Sequence, residues 1–307
     1  MKQLPLSALR GLLAVTVLIT STLLVFIPFF IFCVLKIYPQ RRWQLFCTNI
    51  LHLITSFWVA FNSLYIACVN PTRITITGIN TIKITDWYLV VANHQSWLDI
   101  VMLQYVLNYK ARLPVLSFFI KDQLKWVPIL GFCWWAMGYP FMKRPSKAYL
   151  QKNPHKKGVD LKTTLKAIEQ FKKLPASMVS FVEGTRFTHS KHKLQQPTFE
   201  HLLKPKAGGI SFVIGAMQLE IDSLLDVTIV YPHKNPSLWN FLCHRVTQID
   251  ITIRRIPIPA EFRDSNLLND EQLQEKFKRW LNNEWLEKDH LIRHIKTNAA
   301  PILPSQL

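Results

Sequence analysis

Residues 12–35 carry no charged side chain, and as a helix this run would be about 36 Å long. That exceeds the ~30 Å hydrocarbon core of a bilayer, so the fold must begin with an apolar rod that lipid or protein has to cover. The run is too long for the apolar segment of a signal peptide, and no small-residue cleavage site appears before Lys36. Pro28 is expected to kink or divide it. A second uncharged stretch, 43–72, repeats Gln44, Thr48, His52, Thr55, Ser56, Asn62 and Ser63 at three- and four-residue steps, the pattern of a helix with an uncharged polar face. Lys36, Arg41 and Arg42 lie between the two stretches, while Lys2 and Arg10 flank the other end. A two-span hairpin would leave the basic turn outside, against the positive-inside tendency. The expectation over 1–72 is a hydrophobic two-helix membrane anchor that dips into one leaflet.

From Arg73 the pattern becomes that of a mostly parallel α/β domain reaching to residue 307. Arg73–Gly78 alternates like a half-buried strand, 87–92 is a continuous apolar strand, and Ser96 to Leu107 reads as a helix. Leu113–Phe118, Tyr139–Met142, Met178–Val182 and Asp226–Tyr231 read as further strands, and Arg245–Ile256 as an exposed antiparallel edge strand. Between these lie helical runs at 124–137, 158–173 and 206–219, with an amphipathic helix over 267–286 closing the domain. The first of these, with Trp126, Trp134 and Trp135, suits either the core or a lipid interface.

The formal charge is +18, which calls for an acidic partner: nucleic acid, an anionic membrane or phosphorylated small molecules. Ten Lys or Arg between 143 and 173 face only Asp160 and Glu169. No common nucleic-acid motif is present, and no nucleic-acid partner is expected. Cys33, Cys47, Cys68, Cys133 and Cys243 are odd in number, scattered and without metal-site spacing. Reduced thiols, no metal and a domain facing the cytoplasm follow as expectations.

Chemistry concentrates where strands end. His94 and Asp99 are five positions apart, about 140° around one straight helix, so they meet only if His94 precedes the helix. Ser96 is a good N-cap, which puts Asp99 in the first turn, within reach of a histidine just upstream. Such a pair suits acyl transfer, with Asp99 setting the tautomer of His94 and His94 accepting a proton from an attacking hydroxyl. Ser-x-x-Asp is also a capping-box variant, so purely local capping is the competing reading. Backbone N–H groups near Ser96 are available to an oxyanion. Lys143-Arg144 and Glu183-Gly184-Thr185-Arg186 end two other strands. Gly184 permits close backbone approach and Arg186 offers a planar fork for phosphate, with Glu183 placed to hold that arginine. His189 and His192 flank Lys191 in a basic loop and read as solvated.

Four blocks, Asn93-His-x4-Asp99, Tyr139-Pro-Phe-Met-Lys-Arg144, Phe181-Val-Glu-Gly-Thr-Arg-Phe-Thr188 and Val227-Thr-Ile-Val-Tyr-Pro232, stand in the order and rough spacing of the glycerolipid acyltransferases. Over about residues 73 to 235 the chain resembles the 1-acylglycerol-3-phosphate acyltransferase family, and its third block is similar to the lysophospholipid and lysocardiolipin branch. The resemblance implies His94 as general base and Asp99 as its orienting partner. It implies Arg144, Arg186 and Lys121 on the acceptor phosphate, with Glu183, Gly184 and Thr185 shaping that pocket and Pro232 shaping acyl or donor binding.

The implied activity is transfer of a fatty acyl group from acyl-CoA or acyl carrier protein to lysophosphatidic acid at a membrane, giving phosphatidic acid. It needs no cofactor beyond that thioester, and the membrane is the cell inner membrane if the source is bacterial. Other lysophospholipid acceptors, a noncatalytic membrane-anchored module for anionic ligands, and an esterase or phospholipase remain as alternatives.

Overall fold

The computed structural model describes residues 5–84, 86, 88–114, 116–118, 120–139, 141–142, 177–217, 221–232, 236–263, 267 and 270–298, excepting the side chains of Lys121 and Met142. Two long helices come first, α1 (Leu6–Leu35) and α2 (Arg41–Val69). After them run β1 (Arg73–Thr77), β2 (Tyr88–Ala92), α3 (Leu98–Leu103), β3 (Leu116–Phe118), β4 (Ile120–Lys121), α4 (Leu130–Ala136) and β5 (Phe141–Met142). Beyond residue 176 the described elements are β6 (Ser177–Phe181), α5 (His189–Gln195), α6 (Ala207–Met217), β7 (Ser223–Val230), α7 (Leu238–Leu242), β8 (Gln248–Pro257) and α8 (Glu271–Asn298).

Six strands form one sheet in the order β1-β8-β7-β2-β6-β3, parallel at every pairing except β7 with β8. The apolar run 88–92 explains β2's central position: all five residues are buried, so helices must cover both faces. Ala92 lies beside Phe181 on one side and Val227 on the other, so three strand ends gather at one edge of the sheet. Ligands favour that edge in α/β folds.

Two strand expectations need correction. β8 is antiparallel to β7, as expected, but parallel to β1, and it lies between the two, not at an edge. Its alternation comes from one-sided burial of Ile249, Ile251 and Ile253 against helices. Phe141–Met142 pairs with Ile120–Lys121 in a separate two-stranded sheet, so the strand that runs into Lys143 does not end at the central edge. The expected helix at 158–173 and the basic run 143–173 lie outside the described residues. At 124–137 the helix is shorter than expected: a 3-10 turn over Asp122–Trp126 precedes α4, with Pro128 between them. Trp134 packs on the core, whereas Trp126 and Trp135 are exposed.

α1 and α2 pair as an antiparallel hairpin, each long and apolar enough to cross a membrane. Pro28 sits inside an unbroken α1 rather than dividing it; a proline removes one backbone bond, which a packed apolar hairpin tolerates. The polar face of α2 turns inward. Ser21 Oγ donates to Asn62 Oδ1 across 3.1 Å, and both residues are buried. Leu24, Ile27, Leu53 and Phe57 point outward, and an open apolar cavity of about 560 Å³ lies between Leu24, Val25, Pro28, Leu53, Ile54 and Phe57.

The α/β domain contacts the hairpin along its length. Arg245 Nη2 donates to Ser7 Oγ (3.0 Å), Gly11 packs on Cys243 and Trp239, and Ala14 joins the core under the sheet. Farther along, Phe26 and Phe30 meet Phe132 of α4, and Lys36 Nζ lies 3.5 Å from the Ala136 carbonyl.

Candidate active site

The chain leaving β2 is tied to β7. Asn93 Nδ2 donates to the Ile229 carbonyl (2.8 Å), and Ile229 N–H donates to Asn93 Oδ1 (2.9 Å). His94 is therefore held at the sheet edge as the chain turns into α3. Ser96 Oγ accepts from Leu98 N–H (3.2 Å), while Asp99 Oδ2 reaches back to accept from the N–H groups of Gln95 (2.6 Å) and Ser96 (2.8 Å). That is the capping-box reach. The same oxygen stands 2.8 Å from His94 Nδ1.

Capping and pairing are thus one arrangement: the carboxylate that caps the helix also orients the histidine. A carboxylate oxygen accepts, so Nδ1 carries a hydrogen, and in the neutral ring Nε2 then holds the lone pair. Of the N–H groups near Ser96 expected to be available to an oxyanion, those of Gln95 and Ser96 are already taken by Asp99.

A fourth donor completes Asp99. Tyr231 Oη donates to Oδ1 across 2.6 Å in a fully buried setting. Burial first, and then the charge of Asp99, push the Tyr231 hydroxyl well above its ordinary range, so it stays a donor. The His94 ring lies flat on Phe181, with centroids 4.0 Å apart and planes 16° apart. Its side chain is 15% exposed, and Asp99 only 1%. Among the described residues no Ser, Thr or Cys side chain is bonded to the His94 ring.

The turn after β6 folds back on the same histidine. Glu183, fully buried, accepts from His94 N–H through Oε1 (2.9 Å) and from Leu203 N–H through Oε2 (3.0 Å). Burial pushes its carboxyl up to about 7, against the pull of those two N–H groups and of the Lys288 charge. Gly184 holds φ +71°, a left-handed value that suits glycine. Phe187 N–H then donates to the His94 carbonyl (2.7 Å), which fixes Arg186 beside the histidine's own loop. The Arg186 guanidinium stacks 5.3 Å over the Trp97 ring. Lys191 Nζ donates to Thr185 Oγ1 (2.7 Å) and to the Arg186 carbonyl (3.0 Å).

The site has a buried carboxylate, a partly open histidine and the cationic side chains of Arg186 and Lys191. A family model described as Acyltransferase matches residues 73–232, which hold all of these groups. The chain belongs to the acyltransferase family. This acyltransferase is 27% identical over 233 residues to the 1-acyl-sn-glycerol-3-phosphate acyltransferase epsilon of Mus musculus, covering 69% of this chain and 59% of that one. It is 27% identical over 183 residues to the gamma form of Homo sapiens, covering 56% and 43%. The chain therefore spans about half the length of the curated relatives it matches. Its fold is similar to that of the 1-acyl-sn-glycerophosphate (LPA) acyltransferase PlsC of Thermotoga maritima, with a TM-score of 0.52 at 16% identity, over 96% of this chain and 100% of that one.

Of the residues singled out from sequence, the acyltransferase brings together His94, Asp99, Glu183, Gly184, Thr185 and Arg186. Lys121 is placed by its backbone in β4, and Arg144 lies outside the described residues. Glu183 does not hold Arg186, as expected from their spacing; it holds the backbone of His94, while Trp97 holds Arg186. The segment expected as a basic loop is the helix α5, capped by Thr188, and His192 Nε2 is bonded to the Phe199 carbonyl (2.7 Å). Sequence reasoning missed Tyr231, Lys191 and Phe181. Tyr231 stood in the fourth block beside Pro232, and the signal for it was that a strand parallel to β2 ends there.

Proposed function

We propose that this acyltransferase moves an acyl group from a thioester, acyl-CoA or acyl carrier protein, to the free hydroxyl of lysophosphatidic acid at a membrane surface. The reading rests above all on the His94 to Asp99 contact of 2.8 Å, which leaves Nε2 free on a partly exposed ring. His94 Nε2 takes the proton of the acceptor hydroxyl as that oxygen attacks the thioester carbonyl; thiolate leaves, and no acyl-enzyme intervenes. Asp99 fixes the ring and offsets the positive charge that develops on it. Arg186, with Lys121 and Arg144, takes the acceptor phosphate, and Glu183, Gly184 and Thr185 shape the loop that presents Arg186. The thioester is the only co-substrate required. The relatives' names, which specify 1-acyl-sn-glycerol-3-phosphate, favour this acceptor.

Residues 1–72 form the membrane anchor in this reading and 73–307 the catalytic domain, on the cytoplasmic side. The outward apolar and inward polar faces of the hairpin support burial in lipid. Contacts to the α/β domain from Ser7 to Lys36 span about 43 Å of α1, which favours a hairpin lying in one leaflet over one crossing the bilayer.

The deciding experiment is phosphatidic acid formation from lysophosphatidic acid and each thioester donor by purified full chain and by His94→Ala. Turnover is expected to fall about a hundredfold or more in the folded variant. Equal turnover by the variant would sink the mechanism, and a panel of other lysophospholipids would identify a different preferred acceptor.

A further inference from the structure

The family match stops at residue 232, yet α8, beyond it, reaches the underside of the site. Asp289 accepts from the N–H groups of Glu200 and His201, each across 2.8 Å, and Trp285 Nε1 donates to the Leu203 carbonyl (3.1 Å). This is the segment whose Leu203 N–H holds Glu183 Oε2, the other oxygen being on the His94 backbone. Between those two residues on the same helix sits Lys288, with no exposed surface. Its Nζ is 2.7 Å from Asp226 Oδ1, 2.8 Å from the Val227 carbonyl and 4.7 Å from the centre of the Trp285 ring.

A buried ammonium is expensive to desolvate, and an apolar side chain at such a place is often as stabilising or more so. The position therefore calls for a role beyond packing. The charges of Lys288 and Glu183 act on each other. Glu183 also faces Asp99 from α3, whose charge disfavours its ionisation, while the His94 and Leu203 N–H groups favour it. Asp226 of β7 and Arg254 of β8, bonded to each other at 2.8 Å, complete the charged groups around Lys288. Only the carboxylate form offers both oxygens as full acceptors to the two N–H groups; the acid form puts a hydrogen on one of them.

We propose that Trp285, Lys288 and Asp289 are a positioning unit, which holds segment 200–203 and through Leu203 keeps Glu183 seated on the His94 backbone. The C-terminal helix is then a working part of the site. This rests on the acyl-transfer reading of His94 given above.

The test uses the full chain in lipid micelles and replaces the buried pair together, Lys288→Met with Asp226→Asn, which leaves Arg254 with Glu284, 3.6 Å away, as its carboxylate partner. Trp285→Phe, which removes the bond to Leu203 but keeps an aromatic ring, is a second and milder variant. Glu183 is titrated by infrared difference spectroscopy, with Glu183→Gln identifying its band, and kcat and KM are followed from pH 6 to 9.

In the double variant Glu183 is expected to titrate at higher pH. The acid limb of kcat should rise with it, an upward move of one pH unit giving about a fivefold loss at pH 7 and about a tenfold loss at pH 6. That loss should recover at alkaline pH with the acceptor KM unchanged. Trp285→Phe is expected to lower kcat without changing the acceptor KM. A loss equal at every pH, or an unmoved Glu183 titration, would overturn the proposal. Absence of transfer by the wild type would refute the acyl-transfer reading instead, and the infrared titration would still decide the coupling.

Discussion

Tyr231 and Asp99 show how much one hydroxyl decides at this site. Tyr231→Phe leaves Asp99 Oδ1 buried without its donor of 2.6 Å. A hydrogen bond to a charged group is worth about 1.5–3 kcal/mol, so the variant should unfold earlier in denaturant and lose about tenfold in kcat as the histidine loosens. Unchanged kcat would mean that the N–H donors of Gln95 and Ser96 hold the carboxylate alone. Glu183 carries a second prediction. Its ordinary carboxyl value is 4.5 and its folded value about 7. Between those values the unfolded chain has released a proton that the folded chain keeps, so stability falls as pH rises through the window. The loss is on the order of 3 kcal/mol from end to end. Glu183→Gln should flatten that slope in denaturation measured at pH 5 and 8, and a slope as steep as before would assign it to another group. The His94 and Asp99 pair was legible because five residues and one N-cap bring it together locally. Tyr231 lies 132 positions from Asp99, and its place depends on which strand neighbours β2, a matter of pairing that no local pattern carries.

Elements were legible in kind more than in order. The continuous apolar run at 88–92 became a fully buried strand, because a strand with no polar face needs cover on both sides. Alternation in β8 reported one covered face and said nothing about an edge, which β1 occupies. The junction of these two strands supplies a prediction at this scale. Gly78 ends β1 at φ +83°, and a Cβ there would run into the Ile253 carbonyl of β8. Gly78→Ala should therefore cost about 1–3 kcal/mol of stability, through left-handed strain and a forced shift of the pairing. A thermal melt of the variant in micelles that matches wild type would show that the β1 to β8 pairing yields without cost.

At the scale of the whole molecule the issue is how a +18 chain with an inside-out hairpin sits on lipid. A crossing hairpin would send the turn between α1 and α2 to the far side, carrying Lys36 with it. Yet Lys36 reaches the Ala136 carbonyl of α4, and the opposite end of α1 is bonded to Arg245 of the same domain. Both ends of the helix therefore lie against one α/β body, whose polar backbone cannot enter the hydrocarbon region unsatisfied. On the one-leaflet placement proposed above, the turn stays on the side of the domain, where its basic residues would meet anionic headgroups at ~1 kcal/mol each. Tyr38, exposed at the tip of that turn, is the place to test this. In sealed vesicles carrying the domain outside, Tyr38→Cys should react with a membrane-impermeant thiol reagent added outside, above the background of the five native cysteines. Labelling only by reagent trapped inside would mean that the hairpin crosses the bilayer. The contacts of α1 with both Phe132 and Arg245 could then not be those of the membrane-bound enzyme.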